Sequence, residues 1–122
     1  MAKIAVSSEG PDLDARVDPR FGRAAGFMIV DPQTMTFDYV DNGTSQVMAQ
    51  GAGIQAAEIV AGTGASVLLT GYVGPKAFQA LSAAGIVIGQ NLDQLTVREA
   101  IQRFQQGDVD MAEAPNSRGH RA

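Results

Sequence analysis

The 122-residue chain has no cysteine, no tryptophan, one histidine, and nine lysines and arginines against thirteen acidic residues. Each scarcity removes a class of chemistry. Without cysteine there is no disulfide, no thiolate nucleophile, and no zinc or iron–sulfur site built on protein thiolates. A formal net charge of −4 disfavours duplex nucleic acid, whose affinity comes mainly from cations that neutralise phosphates. No apolar run approaches the roughly 18 residues of a membrane-spanning helix. Met1–Ala2–Lys3 leads directly into strand-like Ile4–Val6 rather than a signal-peptide core, so the expected location is cytoplasmic, with no membrane partner. The lone imidazole, His120, sits between Gly119 and Arg121 in a polar C-terminal stretch, with no candidate dyad around it.

What is present is apolar periodicity broken by glycine. Lys3–Ser8 reads as a strand stopped by Glu9–Gly10–Pro11, and Gly26–Asp31 and Met35–Val40 read as a hairpin turning at Pro32–Gln33. Gly51–Ala61, rich in Ala and Ile with Glu58 as its one charge, has the composition of a helix lying flat on a sheet. Val67–Thr70 is short and apolar on both faces, as a central parallel strand is. Pro75 suits the first turn of a second helix, where its missing N–H is not needed, and Ala77, Phe78, Leu81 and Ala84 form its stripe up to Gly85. Ile86–Ile88 is a last strand. Thr96 and Glu99 spell a capping box before Val97, Ala100, Ile101 and Phe104, a third helix ending near Gly107. Residues 108–122 show no period and read as a disordered tail behind a single domain over 1–107.

The order β, β, β, α, β, α, β, α predicts a mixed α/β fold with five strands in the order 3-2-1-4-5 and strand 2 antiparallel. Winding reverses between strands 1 and 4, so ligands favour the crevice at their carboxyl ends, where the loops after Ser8 and Thr70 meet.

Three features there bear on function. Arg16, Arg20 and Arg23 place three of the nine cations in eight residues, next to a rigid Pro19, an aromatic Phe21 and Gly22. Guanidinium groups suit multi-acceptor anions, although salt bridges to Asp12, Asp14 and Asp18 are the plainer alternative. Gly51–Ala52–Gly53 opens one helix and Gly74–Pro75 another, and a helix start offers free N–H groups and partial positive charge to an anion. Gly51-x-Gly53-x-x-Ala56 also spells a dinucleotide fingerprint, but no strand runs straight into it and no acid lies between Glu58 and Asp93 to hold a ribose. The glycines are then read as allowing close packing. Asp12-x-Asp14 begins like a calcium loop and breaks at Arg16. Met48 is the one thioether near the crevice that the core does not claim.

Taken together, Ile4–Ala–Val–Ser7, Asp18–Pro–Arg–Phe–Gly–Arg23, Gly51–Ala–Gly–Ile54, Thr70–Gly71, Gly74–Pro–Lys–Ala77 and Gly85–Ile86 resemble the dinitrogenase iron–molybdenum cofactor biosynthesis family over roughly Lys3 to Gln106. The short cysteine-free chain looks like that family's orange protein type, whose members hold a mixed molybdenum–copper sulfide cluster without protein thiolates. The resemblance implies a ribonuclease H-like three-layer fold and a carrier or assembly scaffold for a metal–sulfur cluster rather than an enzyme. It implies a thiomolybdate-type polyanion as ligand, with protein partners in cluster transfer. Many relatives carry His just before the Gly-Ala-Gly-Ile segment; here that position is Gln50, which points to non-covalent binding.

The candidate cofactor-binding residues are Ser7 and Ser8 at the end of strand 1, Arg20, Phe21, Gly22 and Arg23, then Met48, Gln50, Gly51, Ala52 and Gly53, and finally Gly71, Tyr72 and Gly74. No residue is assigned as catalytic and none as a metal ligand. An enzyme acting on a small anion and a cofactor-free interaction module using the sheet edge or the acidic tail are the competing readings.

Overall fold

A computed structural model describes residues 2–43 and 51–115. The strands are β1 (Ile4–Ser8), β2 (Gly26–Val30), β3 (Phe37–Asp41), β4 (Val67–Leu69), β5 (Val87–Gln90) and β6 (Asp110–Met111). The helices are α1 (Ala52–Gly62), α2 (Pro75–Ala83) and α3 (Val97–Gln105), with a short 3-10 turn at Phe21–Arg23.

All strands join one sheet in the order β3-β2-β1-β4-β5-β6. The hairpin is antiparallel, β1 runs parallel to β4 with Ile4 opposite Val67 and Val6 opposite Leu69, and β4 runs parallel to β5. The expected central place of Val67–Thr70 is met. The five-strand expectation is corrected: Asp110–Met111 pairs antiparallel with Gln90 and Gly89 as a sixth strand, inside the stretch read as tail. Two residues are too few to display alternation, so the sequence offered no period to read.

Strand alternation sends side chains to two cores. Ala5, Phe27, Ile29, Leu68 and Ile88 pack beneath α1 and α2, with Ala56, Val60, Ala77 and Leu81. Ile4, Val6, Met28, Val30 and Leu69 pack on the other face against Val97, Ala100 and Ile101 of α3. The chain is therefore a three-layer α/β/α stack. Pro75 is the first residue of α2 behind Gly74, and the Thr96–Glu99 capping box opens α3, with Thr96 Oγ1 accepting from the Glu99 amide at 3.1 Å and Glu99 Oε1 from the Thr96 amide at 2.9 Å.

The hairpin differs from its expected form. β3 begins at Phe37, because Met35 has a φ of 61° and belongs to the turn, where its amide donates to the Asp31 carbonyl at 2.7 Å. A left-handed residue cannot continue a strand. Among the described residues no helix is long and apolar enough to cross a membrane.

Candidate functional site

The carboxyl ends of β1 and β4 are roofed by the loop that leaves β1. Its first part, Leu13–Val17, runs beside the start of α3: the Val17 amide donates to Leu95, and the Val97 and Arg98 amides donate to Ala15 and Leu13. Asp14 pairs with Arg98 of α3 at 3.1 Å rather than with a loop arginine. The alternative reading, in which Asp12, Asp14 and Asp18 pair with the loop arginines, finds no ion pair of that kind among the described residues. Asp12 accepts the Asp14 amide, and Asp18 serves the backbone.

The second part, Asp18–Ala25, crosses the β1/β4 junction. The Asp18 amide donates to the Ser7 carbonyl at 2.9 Å, the Tyr72 amide donates to the Pro19 carbonyl at 2.7 Å, and the Phe21 amide donates to the Tyr72 carbonyl at 3.1 Å. The loops after β1 and β4 therefore meet as expected, through a short parallel bridge between Arg20 and Tyr72. Gly71 is required by this approach, since a Cβ there would stand 2.5 Å from the Pro19 carbonyl oxygen. Asp18, 7% exposed, accepts the Arg20 amide on one carboxylate oxygen at 3.3 Å and the Ala25 amide on the other at 3.2 Å, so it shapes the turn.

Phe21 is buried in the α1/α2 core, its ring centroid 5.4 Å from that of Phe27, and it anchors the turn from below. Above it, Gly22 lies against the first turn of α1. Gly51, with φ at 78°, precedes that helix, and Gly74 precedes α2; as glycines, neither N-cap residue has a side chain with which to cap its helix. Gly53 in turn lets α1 approach α2, because a Cβ there would stand 3.0 Å from the Ala77 Cβ. Of the two glycines in the fingerprint-like stretch, Gly53 is accounted for by close packing and Gly51 by its left-handed φ. Arg20 is exposed and makes no ion pair among the described residues; Arg23 is partly exposed at the far end of the turn.

The sequence-derived set divides accordingly. Arg20, Phe21, Gly22, Arg23, Ala52, Gly53, Gly71 and Tyr72 come together around the turn, with Gly51 and Gly74 at the two helix starts. Ser7 and Ser8 lie beneath it, fully buried: Ser7 Oγ donates to the Asp18 carbonyl at 2.8 Å and shares a hydrogen bond of 2.7 Å with Thr70 Oγ1, while Ser8 Oγ donates to the Gly10 carbonyl. Their hydroxyls support the loop. Tyr72 OH donates to Asp93 at 3.3 Å. Met48, Gln50 and His120 lie outside the described residues.

Sequence reasoning missed Asn42, read only as part of a stop after β3. It is 1% exposed, and its side-chain amide donates to the Ala24 carbonyl at 2.9 Å and the Gly22 carbonyl at 3.4 Å. Asn-Gly after a strand reads as a turn from sequence, and nothing local tells that the side chain reaches back some twenty residues.

Among the described residues no group of three or more His, Asp or Glu is placed to hold a metal ion. An exposed Arg20 guanidinium, two helix starts behind glycines and a backbone-fixed turn come together at the carboxyl edge of the sheet of a small three-layer α/β protein. The chain belongs to the dinitrogenase iron-molybdenum cofactor family, whose pattern it matches over residues 1–107. It is similar to the orange protein of Desulfovibrio gigas, solved in its apo form, at 65% identity and a TM-score of 0.93, over 96% of this chain and 98% of that one. A NifB-like protein from Thermotoga, assigned to the DUF35 family, is 32% identical with a TM-score of 0.83, over 98% of this chain and all of its own. A Methanocaldococcus jannaschii protein is 27% identical over 101 residues, covering 80% of this chain and 84% of its own length. Membership associates the chain with metal-cluster cofactor proteins.

Proposed function

We propose that the protein is a non-covalent carrier or assembly scaffold for a molybdenum-containing metal–sulfur cluster, of the mixed molybdenum–copper sulfide type, and that it acts in the cytoplasm without catalysing a reaction. The observation that carries this reading is the apposition of the Arg20–Arg23 turn to the glycine-rich start of α1. A thiomolybdate-type cluster is a large, soft polyanion. A chain without cysteine can hold it by arginine, helix N–H groups and apolar contact, and no ligating cage exists among the described residues. Similarity to the orange protein supports the cluster class, and the order of the first five strands, with β2 antiparallel, supports a ribonuclease H-like fold.

Reconstitution with tetrathiomolybdate and copper, followed by visible absorption and metal analysis, tests the proposal. Stoichiometric molybdenum and a coloured protein are expected. A colourless protein that cannot be loaded would favour the second reading, an interaction module without cofactor. The observation behind that second reading is an apolar groove of about 590 Å³ at the β5/β6 edge, lined among others by Phe78, Ile86, Val87, Phe104 and Met111.

A further inference from the structure

The turn that carries Arg20 and Arg23 has almost no backbone group left to find its own partner. Within it, the Arg23 and Ala24 amides donate to the Arg20 and Phe21 carbonyls, and Asp18 takes the Arg20 and Ala25 amides. The carbonyls that point away from this set, those of Gly22 and Ala24, both converge on the side-chain amide of Asn42, whose own backbone amide donates to the Ala25 carbonyl at 2.9 Å. Asn42 is thus the acceptor-satisfying counterpart of Asp18. One side chain collects the turn's outward N–H groups and the other supplies donors to its outward carbonyls.

The arrangement is chemically specific. Two carbonyl oxygens need two N–H donors from one atom, which among residues of this size asparagine supplies and aspartate does not. The orientation of the carboxamide is fixed by those contacts, and it leaves Asn42 Oδ1 buried without a hydrogen-bond partner among the described residues. A buried acceptor left unpaired opposes stability, so the site keeps a half-satisfied carboxamide where an apolar side chain would avoid that penalty. Its donor function at the turn is the compensating gain.

Resting on the anion-binding reading above, we infer that Asn42 is the positioning residue of the site: it holds the Phe21–Arg23 turn in the conformation that sets Gly22 against the start of α1, with Arg20 and Arg23 on either side of it. It does not touch the ligand. It acts by removing the freedom that the turn would otherwise lose on binding.

The test uses the full chain, isotopically labelled, with tetrathiomolybdate as probe. In the wild type the Asn42 side-chain amide protons should exchange slowly with water and stay unmoved as the probe is added, while the Arg20 and Arg23 signals shift. Rapid exchange of the Asn42 amide would overturn the inference without any substitution. Asn42→Ala and Asn42→Asp should each bind the probe roughly tenfold more weakly, the order seen for residues that orient ligand-binding groups. They should speed amide exchange at Arg23 and Ala24 and leave Ala5 and Leu68 protected. Binding within twofold of wild type in Asn42→Ala, whatever its melting temperature, would make the residue merely structural and refute the inference. A wild type that fails to bind the probe would sink the anion-binding reading alone, and the exchange rates would still decide whether Asn42 holds the turn.

Discussion

A Cβ on Gly22 would stand 3.0 Å from both the Cα and the amide nitrogen of Gly53, so the arginine-bearing turn and the first turn of α1 touch backbone to backbone. Neither neighbour is a flexible side-chain end that could swing aside. Gly22→Ala should therefore lever the turn off the helix and destabilise the protein by about 1–3 kcal/mol, the range for overpacked sites. Gly62→Ala, in the last turn of the same helix with nothing within 4 Å, is the control, expected to stabilise by about 0.4–1 kcal/mol. Urea unfolding of the two variants checks the pair, and equal effects would contradict the packing argument.

Arg20→Ala combined with Arg23→Ala should weaken loading of a thiomolybdate-type cluster by a few kcal/mol at most, since charge-assisted hydrogen bonds contribute about 1.5–3 kcal/mol each and do not add simply. High salt should weaken wild-type loading in the same direction by screening. Undiminished retention of molybdenum in the double variant would show that these arginines do not hold the cluster.

His120→Ala and Met48→Leu should each leave cluster binding largely intact, because the proposed hold is electrostatic and needs no protein donor to the metal. X-ray absorption of loaded protein decides this. A nitrogen ligand to copper that vanishes in His120→Ala would replace the cradle by direct ligation.

Burial, followed by the charges of Asp41 and Asp18, raises the Tyr39 hydroxyl above its ordinary 10.0. A raised folded-state value means that the stabilisation from the neutral phenol is complete below the ordinary value and is lost as pH rises through the folded one. In Tyr72→Phe, where Tyr39 is the remaining tyrosine of two, tyrosinate absorbance should appear with a midpoint above 10.0. A midpoint at or below it would mean that the hydroxyl is freely hydrated.

Truncation after Gly107 should lower the melting temperature, contrary to what a structureless tail would do. It removes β6 together with Val109 and Ala112, which pack on the two cores, at a loss of about 1–3 kcal/mol by buried apolar area. Val109 even has a place prepared for it, since Gly89 leaves room that a Cβ would fill 2.6 Å from a Val109 methyl. An unchanged melting temperature would show that the sixth strand adds nothing to stability.

These outcomes separate what local signals disclose from what they do not. Val67–Thr70, Pro75 and the Thr96–Glu99 box were legible because each follows from the residue's own backbone and immediate neighbours. The meeting of the loops after β1 and β4 followed from topology. Met35 and Asp110–Met111 were not legible, one because a left-handed residue looks like any other methionine in an alternating run, the other because pairing with β5 depends on a strand twenty residues away. Ser7 and Ser8 stand where a site was expected, yet long-range partners, Asp18 and Thr70 for Ser7, decide where hydroxyls point.

The path of the β1 loop has one more consequence. Leu13 and Val17 belong to the core beneath α3, whereas Phe21 and Ala24, a few residues on, belong to the core beneath α1 and α2. A single strip of chain is thus stitched into both faces of the sheet around its edge, and loosening either face pulls on the same thread. The two cores are expected to melt in one cooperative transition, and the Phe21–Arg23 turn to exist only in molecules in which both halves have closed.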